Sequence, residues 1–112
     1  YESREVIERG ARRLNDPELT QFVSESREHS MVILVGVARR TDDSIFNTVL
    51  IIHEGKLLGL YDKVMLTGGD RDSLGFKPGT SIPVFRALGV TFGVLICHDT
   101  SFPFPAMLAS EQ

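Results

Sequence analysis

Two apolar, β-rich runs, residues 46–53 and 56–61, are separated only by Glu54-Gly55. A two-residue connection with glycine where a positive φ is wanted fits a tight β-hairpin and little else. That hairpin commits the middle of the chain to antiparallel strands, and the remaining segments must pack around it. Residues 31–38 form a third near-continuous apolar run rich in Val and Ile. It is short enough to be a strand covered on both faces, and the polar residues 39–44 make the turn that follows it. Residues 82–86 and 90–96 read as a further strand pair across Ala87-Leu88-Gly89.

Helices are expected on either side of these strands. Residues 3–14 have helical character with many charges around Val6 and Ile7, which reads as a solvated face. Asp16 can cap a second helix whose first position is Pro17. Leu19, Phe22 and Val23 fall on one side of it at helical spacing, and it should end near His29-Ser30. Residues 67–80, rich in glycine and charge, read as a loop. Phe102-Pro103-Phe104-Pro105 breaks the chain, with Pro105 opening a last helix. The order helix, strand, hairpin, loop, hairpin, helix predicts an α/β layer protein with helices packed on a mixed sheet, in a single domain over 1–112.

Twelve Lys and Arg against fifteen Asp and Glu give a net charge of −3. Nucleic acid and anionic membrane surfaces, which demand clustered basic residues, are not expected partners. A single cysteine forms no internal disulfide, so a reducing, cytoplasmic location is expected. No apolar stretch reaches the roughly 18–20 residues of a membrane helix, and no signal-peptide pattern stands at the start. The chain opens without Met and stops at Ala-Ser-Glu-Gln in a helical string, so it is expected to be part of a longer domain.

The string GVLICHDTSFP (93–103) carries the only cysteine, Cys97. As a nucleophile Cys97 needs a base, an oxyanion site and access. The adjacent His98 is a poor base, because neighbouring side chains on a strand face opposite ways. Asp99 would share the face of Cys97, yet about 7 Å along a strand is beyond hydrogen-bond reach. His29 and His53 have no special context. Free cysteine is also among the most buried residue types, so a packed core thiol is the competing reading. One Cys and three scattered His give no metal ligand set. Lys63, at a strand end before the glycine-rich loop, is either a surface lysine or an ammonium that would lower a nearby thiol's pKa and hold an oxyanion. The glycines at 68 and 69 precede acidic residues, unlike a phosphate loop.

Taken together, YDKVML (61–66), GFKPGT (75–80) and GVLICHDTSFP resemble the carbon–nitrogen hydrolase family, the nitrilase superfamily. Its members show Tyr-x-Lys-x-x-Leu, a Pro-Gly before a strand pair, and a strand ending in Cys-x-Asp-x-x-Phe-Pro. All three occur here in order, and the resemblance covers most of the chain from about Met31. It implies part of a four-layer α-β-β-α sandwich and a Glu-Lys-Cys triad. Cys97 matches the nucleophile and Lys63 the lysine that stabilises the tetrahedral intermediate. The His98 backbone N–H is the second oxyanion donor. Asp70 falls where many members carry a second glutamate lining the site, and is one methylene shorter. The family's general base has no match here, since Glu2 and Glu5 lie in a helix-like string. Phe104 stands where the family usually has Glu.

The implied activity is hydrolysis of a non-peptide carbon–nitrogen bond in a small amide, N-carbamoyl compound or nitrile, through a Cys97 thioester. No cofactor is required, and the full-length protein is expected to be a homo-oligomer by analogy. These 112 residues alone are expected to be inactive for want of the base. The alternatives are an inactive interaction module with a structural Cys97, and an unrelated Cys-dependent acyltransferase.

Overall fold

A computed structural model describes residues 3–112, so Glu2 lies outside the described residues. The expected hairpin is β2 (Ile45–His53) and β3 (Lys56–Asp62), paired antiparallel. Its turn has φ of 50° at Glu54 and 79° at Gly55. Two left-handed central residues match the right-handed twist of the flanking strands. β1 (Val32–Arg40) pairs antiparallel on the other side of β2, giving the order β1-β2-β3. The central strand holds Leu50, Ile51 and Ile52 wholly buried.

β1 was expected to be covered on both faces, but Leu34 is 53% exposed. Within the described residues β1 is an edge strand, half-buried along one face and exposed on the other at Leu34 and Gly36. β3 carries a bulge. Ile52 pairs with Leu57 and Ile51 with Gly59, so Leu58 is an extra residue. Leu57 thereby joins Leu50, Leu19 and Val23 around one cleft. Tyr61 packs with Ile51 on the opposite face.

β4 (Val84–Ala87) and β5 (Val90–Gly93) form a separate two-stranded antiparallel sheet. The run expected to stay in a strand to Ile96 leaves the ladder after Gly93. Val94, Leu95 and Ile96 pack instead against the core of Ile51, Tyr61, Ile82 and Phe85. The expected mixed sheet is thus two antiparallel sheets, with isolated parallel bridges at Arg12–Arg39 and Phe46–Lys77. Short connections force antiparallel neighbours, whereas parallel ones need long crossovers. The two sheets meet at Gly59, where a Cβ would lie 2.7 Å from the Phe85 ring.

Helix α1 (Arg4–Gly10) starts at Ser3, whose Oγ accepts from the Val6 N–H. The solvated-face reading fails at Ile7. This residue is buried with Ala11, Ala38 and Phe76, because residues after α1 run along β1. Arg12 N donates to Ala38 O at 2.9 Å, and Arg40 N donates to Arg12 O at 2.8 Å. Helix α2 (Pro17–Glu25) is capped as expected, with Asp16 Oδ1 accepting from Glu18 N at 3.0 Å. A 3-10 turn (Ser26–Glu28) extends it. The buried Ser26 hydroxyl donates to Val23 O and accepts from Gly55 N, joining the helix end to the hairpin turn. Phe22 stays exposed, while Leu19 and Val23 are half-buried. The last helix, α3 (Pro103–Ser110), starts two residues before the expected Pro105, which is buried. No described helix is long and apolar enough to cross a membrane.

Candidate active site

Lys63 follows the last residue of β3. Its backbone is pinned on both sides, with N donating to Asn47 O at 2.8 Å and O accepting from Gly79 N at 2.9 Å. Gly79 must be glycine for this approach, since a Cβ there would press into the Asp62 backbone. Lys63 is no surface lysine, because its side chain is 3% exposed. Nζ donates to Asp70 Oδ2 at 2.6 Å. A buried ammonium needs such a partner.

Asp70 lies in a π-helical turn (Gly69–Ser73), so the expected loop has ordered structure here. Its Oδ2 also accepts from Thr67 N at 2.9 Å, and its own N–H donates to Thr67 Oγ1 at 3.0 Å. Burial works to raise the Asp70 pKa. The hydrogen bonds from Lys63 and Thr67 outweigh it and hold the carboxyl below the usual range.

Cys97 is exposed, against the reading of a packed thiol. It opens a 3-10 turn (Cys97–Ser101) with φ of 48°. A left-handed residue with a Cβ costs about 1–2 kcal/mol, and such strain collects at functional sites. His98 lies edge-on to the Phe102 ring at 5.1 Å between centroids. Phe104, where the resemblance expects Glu, is 60% exposed on α3.

The Cys97 turn and the Lys63 strand end are joined by a residue that sequence reasoning undervalued. Asp99 is wholly buried. Its Oδ2 accepts from the Tyr61 hydroxyl at 2.5 Å and from Ile96 N at 2.8 Å, and its Oδ1 from Met65 N at 2.8 Å. The Tyr61 hydroxyl in turn accepts from Val64 N at 3.3 Å. Burial foremost, then the bond to Asp99, pushes the Tyr61 pKa well above the usual phenol value. Along an ideal strand Asp99 shares only the face of Cys97, out of its reach. The 3-10 turn turns it away from that line. The available signal was the pairing of a Tyr two residues before Lys63 with an Asp two residues after Cys97.

Beneath this, on the other face of β3, Asp62 takes a two-point contact from Arg39 at 3.1 and 2.6 Å and a third bond from Thr48 Oγ1 at 2.5 Å. Arg39 also stacks over Phe46, 4.7 Å from the ring centre. A separate polar cleft of about 360 Å³, lined by Arg4, Glu8, Arg40 and Lys77 among others, includes neither Lys63 nor Cys97. Among the described residues no group of three or more His, Cys, Asp or Glu is arranged to hold a metal ion.

Comparison with known proteins agrees with this arrangement of elements. The chain is 31% identical over 88 residues to a bifunctional nitrilase/nitrile hydratase of Lupinus angustifolius, covering 78% of this chain and 25% of that protein. A nitrilase of Pyrococcus abyssi is 29% identical over 105 residues, covering 92% of this chain and 39% of that protein. Among solved structures, Saccharomyces cerevisiae Nit3, a member of the nitrilase superfamily, superposes with a TM-score of 0.77 at 25% identity over 98% of this chain and 42% of that one. A glutamine-dependent NAD+ synthetase of Acinetobacter baumannii gives 0.74 at 25% identity over 99% of this chain and 21% of that one. The chain thus spans a quarter to two fifths of the length of these two curated relatives. The family profile described as carbon-nitrogen hydrolase matches residues 1–112. With a match of that extent, the chain belongs to the carbon–nitrogen hydrolase family.

Proposed function

We propose that the protein of which these residues are part hydrolyses a non-peptide carbon–nitrogen bond in a small amide, N-carbamoyl compound or nitrile. Cys97 is the nucleophile. With an amide or carbamoyl substrate its thiolate adds to the carbonyl carbon, and the displaced electron pair goes to oxygen. With a nitrile it adds to the nitrile carbon to give a thioimidate, which takes up one water to reach the same tetrahedral intermediate. The Lys63 ammonium and the His98 backbone N–H hold that oxyanion. A glutamate contributed by the rest of the protein takes the thiol proton and passes it to the leaving nitrogen as the C–N bond breaks. Water, deprotonated by the same glutamate, attacks the thioester carbon. The acid leaves and the thiol is restored. Asp70 fixes Lys63 in place at the pocket wall.

The observation that carries this reading is an exposed, left-handed Cys97 at the head of a turn whose Asp99 bonds to residues on either side of a buried Lys63. The nitrilase names of the relatives favour a nitrile or amide substrate. The 112 residues, which span a quarter to two fifths of those relatives, are one part of a single larger hydrolase domain. That domain works in the cytoplasm as a homo-oligomer on a small molecule, without a cofactor.

In the whole enzyme, Cys97→Ser and Lys63→Met are each expected to cut amide or nitrile turnover by at least about 10²–10³. Rapid quenching and mass spectrometry should catch an acyl group on Cys97. Near-normal turnover in either variant overturns the role of that residue. No turnover across amides, carbamoyl compounds and nitriles, with sluggish alkylation of Cys97, would favour the inactive interaction module.

A further inference from the structure

Resting on the hydrolase reading above, we infer that Tyr61 and Asp99 are positioning residues whose hydrogen bond sets the separation of Lys63 from Cys97. Every bond to the Asp99 carboxylate comes from a residue close in sequence to one of these two. Tyr61 and Met65 lie two residues either side of Lys63, and Ile96 immediately precedes Cys97. The Tyr61 hydroxyl also takes the Val64 N–H, so the segment from 61 to 65 folds round the same oxygen atoms. The carboxylate is wholly buried, which removes water as a competitor for these bonds.

All three donors to Asp99 are neutral. The Lys63 ammonium goes to Asp70 instead. Geometry and charge are therefore handled by different carboxylates. Asp99 ties the strand end to the Cys97 turn, and Asp70 partners the cation. A tie of this kind acts on the reaction through the placement of the oxyanion donor. An error near 1 Å in such placement costs about 10²-fold in rate, whereas ground-state binding of substrate by other walls is little changed.

The test uses the full-length enzyme, well below its unfolding temperature. Tyr61→Phe, Asp99→Asn and the double variant are compared by kcat and KM on the best amide or nitrile substrate. Each single variant is expected to lose about 10- to 100-fold in kcat, with KM within about threefold. The double variant should be no worse than the poorer single one, because both remove the same link. Unchanged kcat in folded variants, additive losses, or an effect confined to KM overturns the inference. If Asp99→Asn does not fold, Tyr61→Phe decides alone, since it keeps the ring and removes only the oxygen. Cys97→Ser and Lys63→Met run alongside. Retained activity there sinks the hydrolase reading, while dead controls with unimpaired Tyr61→Phe sink only this inference.

Discussion

Lys63 and Asp70 form an ion pair 2.6 Å long, with both side chains largely withdrawn from solvent. Breaking a buried pair by removing one partner strands the other charge and costs roughly 3–5 kcal/mol. Asp70→Asn is therefore expected to destabilise the whole protein by about that much in urea titrations. The pair also carries a pH dependence. The folded Asp70 pKa lies below its unfolded value. Its stabilisation is present above about pH 4 and is lost as pH falls through the folded value. The Asn variant should lack this acid-side loss, and a variant whose acid profile matches wild type would contradict the assignment.

Tyr61 predicts the opposite limb. Burial and the Asp99 bond raise its folded pKa. The unfolded chain loses that proton near pH 10, while the folded chain keeps it. Stability from this group is whole below about pH 10 and declines as pH rises toward the folded value. Tyr61→Phe should remove the alkaline decline at the cost of about 1–3 kcal/mol at neutral pH, from leaving Asp99 short of a donor. Thermal midpoints across pH 7 to 11 would read both effects.

Gly79 is where the segment after the π-helical turn touches the end of β3. A Cβ there would lie 2.8 Å from Asp62 Cβ and closer still to backbone. Gly79→Ala should cost at least about 1–3 kcal/mol. It should also lower kcat, because the Gly79 N–H holds the Lys63 carbonyl. A stable, fully active alanine variant would show that the contact relaxes freely.

Arg39 and Asp62 can be separated from the site chemistry. Their two-point contact has side chains 13% and 17% exposed. Arg39→Met is expected to lose about 3 kcal/mol. Combined with Asp62→Asn the loss should be clearly less than additive. Simple additivity in this cycle would mean that the pair contributes nothing of its own.

What the sequence makes legible follows from local chemistry. Asp16-Pro17 and Glu54-Gly55 specify a cap and a turn within a few residues, and both form. The motif strings identify the family, which the profile match over the whole chain agrees with. Features that depend on distant partners were hidden. Ile7 reads as part of a charged face because nothing near it announces that Ala38 and Phe76 will cover it. The strand expected to reach Ile96 ends at Gly93, since apolar content does not distinguish laddered residues from packed ones. Asp99 reads as out of reach of Cys97 because a straight strand sets it about 7 Å along the chain. Two of its three partners, Met65 and Tyr61, lie 34 and 38 residues away along the chain.

The extra Leu58 in β3 has a reach well beyond its own position. Alternation along a strand means that parity of residue count decides which layer a side chain addresses. Were the ladder to run on from His53 and Lys56 without the bulge, Tyr61 would fall opposite Thr48 instead of Val49. That would swap the addresses of Tyr61 and Asp62, delivering the phenol to the arginine and the acid to the apolar interior. The lysine's side of the sheet is thus written as an odd or even number in the loop-ward half of a strand, several residues before the lysine itself.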